Sequence, residues 1–111
     1  AGIAINPGTG LEPVWPLLDD AELELVLCMT VHPGFGGQTF IGEVMDKVAA
    51  LRERRPDLPI EVDGGLTADT ITPAAAAGAT LIVAGSSVFR APDAAEAITA
   101  LRRNGEAAAA R

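Results

Sequence analysis

The sequence has a single cysteine, a single histidine, few basic residues and no methionine at its start. With Cys28 alone, an intrachain disulfide is impossible. Cys28 lies inside an apolar run, so it reads as a buried structural thiol, which fits a reducing cytoplasm. His32 has no second histidine with which to build a metal cage, and a residue before a proline at a strand end is commonly just solvated. Lys and Arg number 8 against 15 Asp and Glu, for a net charge of −7 and a pI of about 4.5. That balance argues against a general nucleic-acid or anionic-membrane binder, because both require a basic surface. It leaves room for one small pocket lined by backbone N–H groups. No apolar run reaches the length of a membrane span, and no signal-peptide pattern is visible. The chain opens directly on a strand-like segment, Ala1-Gly2-Ile3-Ala4-Ile5, and is expected to be a piece of a longer protein.

What is present is core. Hydrophobic residues make up 49% of 111 residues, enough for one small domain with a packed interior. Gly2 to Asn6 reads as a short buried strand ended by Asn6-Pro7-Gly8. Thr9 and Glu12 have capping-box spacing ahead of a short helix to Leu18, on which Trp15 is expected to pack. Leu23 to Val31 is mostly apolar without strict alternation, the pattern of a parallel strand. A helix is predicted over 42–55, where Val44, Val48 and Leu51 share a face and Pro56 ends it. Ile60 to Asp63 is a third strand. A small-residue helix capped by Thr67 or Asp69 ends at Gly78. Thr80 to Ala84 is the fourth strand. A short helix is placed near Ser87-Val88-Phe89, and Pro92-Asp93 open a last one. Gly105 to Arg111 reads as a flexible Ala-rich tail, leaving residues 1–104 as the domain. Four β-α repeats imply a parallel sheet with right-handed crossovers.

In such folds ligands sit at the carboxyl ends of the strands. The chemically interesting residues all lie there. Val31-His32-Pro33-Gly34-Phe35-Gly36-Gly37-Gln38 joins strand to helix with three glycines in four residues, so the backbone can approach a ligand closely. Amide N–H groups in such a loop suit an anion, and phosphate is the usual one. By itself the loop is equally a tight turn. Gly64-Gly65 and Gly85-Ser86 follow the next two strands, and parallel neighbours lie about 4.8 Å apart, so three loops can converge on one phosphate. Asp63 ends its strand beside Gly64. It suits proton abstraction, metal binding or both, or else caps the Gly-Gly turn. Met29 lies near the same end and reads by default as core.

Cys28 to Phe40, with Gly34-Phe35-Gly36-Gly37-Gln38 at its centre, resembles the signature of the ribulose-phosphate 3-epimerase family. Val62-Asp63-Gly64-Gly65 and Val83-Ala84-Gly85-Ser86-Ser87-Val88-Phe89 are similar to that family's next two loops, in order and at matching spacing. Gly2 to Thr9 resembles the segment before them, so the resemblance extends to about Arg103. It implies an α/β fold, the (β/α)₈ TIM barrel, of which this chain would cover four βα units, strands five to eight. It implies interconversion of D-ribulose 5-phosphate and D-xylulose 5-phosphate by proton exchange at C3. On that resemblance Gly34, Phe35, Gly36, Gly37, Asp63, Gly64, Gly65, Gly85 and Ser86 bind substrate, chiefly its phosphate. Asp63 is one of two aspartates that exchange the proton, and it ligates one divalent cation (zinc, iron, manganese or cobalt). Met29 lines the reaction centre and shields the enediolate. The family varies at the position of His32, which therefore receives no role.

The resemblance also shows what this stretch lacks. The family's first four strands carry the other catalytic aspartate and the remaining metal ligands, and none of them is in these 111 residues. The isolated chain is therefore expected to be inactive, and the full-length protein to be a cytoplasmic homo-oligomer acting on a sugar phosphate, with no nucleic-acid or membrane partner. Two other readings stand beside this one: a related epimerase of a 2-keto hexose 6-phosphate, and a phosphate-binding half-barrel without catalysis.

Overall fold

The computed structural model of the chain describes residues 2–31 and 41–109, with Ser86 and Ser87 described by their backbone alone. Four strands, β1 (Gly2–Ile5), β2 (Leu25–Met29), β3 (Ile60–Asp63) and β4 (Leu81–Val83), form one sheet in the order β1-β2-β3-β4. Every neighbouring pair is parallel. The helices are α1 (Trp15–Leu18), α2 (Val44–Arg54), α3 (Ile71–Ala77), α4 (Ser86–Phe89) and α5 (Ala94–Ala109). Sequential parallel strands joined by helices put all crossovers on one side and curl the sheet towards a barrel.

Alternation along the strands sorts the sheet into two unlike faces. Val26, Cys28, Ile60 and Val62 are buried against Val44, Val48 and Leu51 of α2. On the other face the register aligns Ala4, Leu27, Glu61 and Leu81 in one row, and Met29, Asp63 and Val83 in the next. No described helix covers this face, and Leu81 and Val83 stay 44% and 40% exposed. In a closed barrel those rows are the packed interior.

Some local expectations are corrected, and the choice between Thr67 and Asp69 as a cap falls to Thr67. No capping box forms at Thr9, because α1 begins only after Val14 and has no side-chain cap. Trp15 is 37% exposed, while Val14 and Leu18 turn inward. The approach to α3 is capped by Thr67, whose hydroxyl accepts from the N–H groups of Asp69 and Thr70. The flexible tail expected from Gly105 is helical to Ala109, and Ala108 is buried. Gly105 packs closely on α3: a Cβ on it would lie 3.3 Å from Cδ1 of Ile71. Asn104 strengthens the same contact by donating to the Ala68 carbonyl at 2.8 Å.

Cys28 is a buried free thiol, as its apolar surroundings imply. Burial pushes it up from 9.0 to about 11, against an opposing pull from the Lys47 ammonium. Below about pH 9 both the folded and unfolded thiols hold their proton. Above it the unfolded chain ionises first, so this group removes stability as pH rises towards 11. The urea midpoint of the parent should therefore fall more steeply between pH 9 and pH 11 than that of Cys28→Ala, whatever the variant's own cost. Equal slopes would contradict this account of the thiol.

Candidate active site at the carboxyl ends of the strands

Asp63 closes β3, and its register partners are Met29 on β2 and Val83 on β4. The three side chains therefore form one row across the uncovered face, about 4.8 Å between strands, with the only carboxylate in the middle. Asp63 and Met29 are both half-buried. Chain direction and strand order thus set a proton-accepting group beside an apolar, polarizable neighbour at the rim.

The turn after Asp63 is built from the backbone. Gly64 and Gly65 take φ of 127° and 70°, values that side-chain-bearing residues rarely adopt. A Cβ on Gly64 would sit 2.4 Å from Cγ2 of Val31 and 2.9 Å from its backbone nitrogen. Gly64 is therefore demanded by the chain's own packing. Gly85 is different, since a Cβ there would meet nothing within 4 Å among the described residues. Its carbonyl accepts from the N–H groups of Val88 and Phe89 at 3.0 Å each, which starts α4. The glycine at 85 leaves space at the rim that the described chain does not itself use.

Two residues that sequence reasoning missed hold this rim together. Thr30 is fully buried, and its hydroxyl donates to the Gly64 carbonyl at 2.5 Å. Its N–H donates to the Asp63 carbonyl at 2.9 Å, and its own carbonyl accepts from Ile41 N–H at 2.6 Å. One residue thus ties β2, the Gly64 turn and the returning chain ahead of α2. Lys47 of α2 is the second. Its ammonium donates to the carbonyls of Pro7 at 2.6 Å, Thr9 at 2.5 Å and Asn6 at 3.5 Å, and so pins the loop after β1. The sequence did not mark Thr30 as buried, because its partner Gly64 lies 34 residues away. Nothing in the sequence pointed from Lys47 to a loop about forty residues away.

Of the predicted site residues, Met29, Asp63, Gly64, Gly65, Gly85 and the backbone of Ser86 gather at the same end of three adjacent strands. Gly34, Phe35, Gly36, Gly37 and His32 lie outside the described residues. No group of three or more His, Cys, Asp or Glu able to hold a metal ion occurs among the described residues. Asp63 supplies a hard oxygen donor on an open face, which suits one ligand of a divalent cation and not a whole cage.

The family model for the ribulose-phosphate 3-epimerase family matches residues 1–89. The chain belongs to the ribulose-phosphate 3-epimerase family. It is 56% identical over 106 residues to the cytoplasmic isoform of ribulose-phosphate 3-epimerase from Oryza sativa subsp. japonica, covering 95% of this chain and 46% of that one. The enzyme from Eremothecium gossypii is 50% identical over 104 residues, covering 94% of this chain and 43% of the relative. The Mycobacterium bovis enzyme is 47% identical over 112 residues, with 97% and 48% covered. The chain thus spans about half the length of the curated relatives it matches. Among solved structures, 3-hexulose-6-phosphate synthase from Salmonella typhimurium superposes with a TM-score of 0.64 at 19% identity, over 98% of this chain and 48% of that one. That likeness is one of fold: the four βα units correspond to about half of a TIM barrel. No described helix is long and apolar enough to cross a membrane.

Proposed function

We propose that this chain supplies the carboxyl-terminal half of a ribulose-phosphate 3-epimerase barrel, which interconverts D-ribulose 5-phosphate and D-xylulose 5-phosphate. The observation that carries the reading is Asp63, a carboxylate at a strand's carboxyl end between Met29 and Val83, followed by the Gly64-Gly65 turn. In this reading Asp63 exchanges the C3 proton on one face of the substrate, and Met29 keeps water from that carbon. The loops at Gly34 to Gly37, Gly64-Gly65 and Gly85-Ser86 bind the phosphate through backbone N–H groups and so fix C3 opposite Asp63. Thr30 and Lys47 act indirectly, by holding the rim. The names of the relatives favour a pentose phosphate over a ketohexose phosphate, and the rice isoform's name favours a cytoplasmic setting.

A bound divalent cation would stabilise negative charge on the oxygen beside the acidic carbon. Asp63 would be one of its ligands, with the others contributed by the half-barrel that completes the fold. Chelation of the completed protein should therefore abolish epimerisation, and adding back zinc, iron, manganese or cobalt should restore it. Full activity after exhaustive chelation would overturn this reading of Asp63 as a metal ligand.

A further inference from the structure

The uncovered sheet face holds a second carboxylate, Glu61, one layer below Asp63. Its register neighbours are Leu27 on β2 and Leu81 on β4, both apolar. Two residues along a strand amount to about 7 Å, so Glu61 lies in the middle of the would-be interior and away from the rim. Among the described residues it takes part in no ion pair. On the open sheet Glu61 is half-buried and still reaches solvent. Once the barrel closes, it enters a packed interior, where an unpaired charge is strongly unfavourable.

This charge selects the occupant of the face. A second copy would offer β1 and β4 edges of the right direction, and a twofold axis could close eight strands. It would also place two Glu61 and two Asp63 carboxylates in one interior. The described face has no Lys, Arg or His to offset them. Like charges at such range in a low-dielectric interior repel strongly.

We propose that the face is covered by a half-barrel of different sequence that carries a cationic side chain (Lys, Arg or protonated His) level with Glu61. This rests on the barrel reading above and adds its electrostatic complement. Pairing Glu61 in the middle layer leaves Asp63 as the carboxylate free for substrate and metal.

The test co-expresses residues 1–111 with a polypeptide comprising the portion of the rice isoform that this chain does not match, so that the two fold together, and measures their association by sedimentation. Glu61→Gln and Glu61→Leu should each weaken association at least about tenfold relative to the parent. Glu53→Gln, on the exposed side of α2, should not. The leucine variant suits its Leu27 and Leu81 neighbours, so it reports even if the glutamine variant fails to fold. If the facing group is apolar, Glu61→Leu will bind more tightly, and the cation is refuted while the barrel reading stands. If the parent does not bind the rice portion at all, the barrel reading falls and takes this one with it. A stable two-copy assembly that the rice portion cannot displace would also overturn the proposal.

Discussion

Asp63→Asn in a completed barrel is expected to reduce solvent deuterium incorporation at C3 of ribulose 5-phosphate by about 10² to 10⁴-fold, the usual span for a positioned acid-base group. The amide keeps the shape of the side chain but cannot take up the proton. Asp63 is held from both sides, by the Met29 and Val83 strands, and its carbonyl accepts from Thr30 N–H at 2.9 Å. The substitution therefore leaves the backbone unchanged, and the loss should fall on kcat with sugar-phosphate binding retained. Exchange at the parental rate would remove Asp63 from the mechanism.

The glycines after β3 and β4 should separate into two kinds. Gly64→Ala forces a Cβ to within 2.4 Å of Val31 Cγ2 at a φ of 127°. Strain and overpacking of this sort cost about 2–4 kcal/mol, and the urea midpoint should drop accordingly. Gly85→Ala adds a methyl that meets nothing within 4 Å among the described residues, so stability should move by less than about 0.5 kcal/mol. If phosphate fills that space, affinity for ribulose 5-phosphate should nonetheless fall by about tenfold or more. A Gly85→Ala protein that binds sugar phosphate like the parent would remove that loop from the phosphate site.

How far the sequence led depends on the range of the interaction concerned. The bounds of β3 were legible because Ile60 to Asp63 is a β-rich run stopped by Gly64-Gly65, both local signals. Strand order followed from the β-α alternation. The last helix runs through Gly105 to Ala109, where sequence alone offers a terminator, because a mid-helix glycine packed on Ile71 has the same local signal as a stop. Thr9 and Glu12 had the spacing of a cap but belong to a loop whose geometry Lys47 sets from α2. Asp63 and its glycines are legible as candidates, since ligands sit at the strand ends in parallel folds. Thr30 and Lys47 are not, because their partners are distant in the sequence and only folding brings them close.

In the proposed reading these residues hold one side of an epimerase site, and a complementary half holds the other. That reading is tested most directly by assaying residues 1–111, alone and joined to the unmatched portion of the rice isoform, for epimerisation of ribulose 5-phosphate with zinc or manganese present. No turnover by the chain alone and metal-dependent turnover by the joined protein are expected. A monomer of residues 1–111 that epimerises the substrate without the second half would contradict the reading.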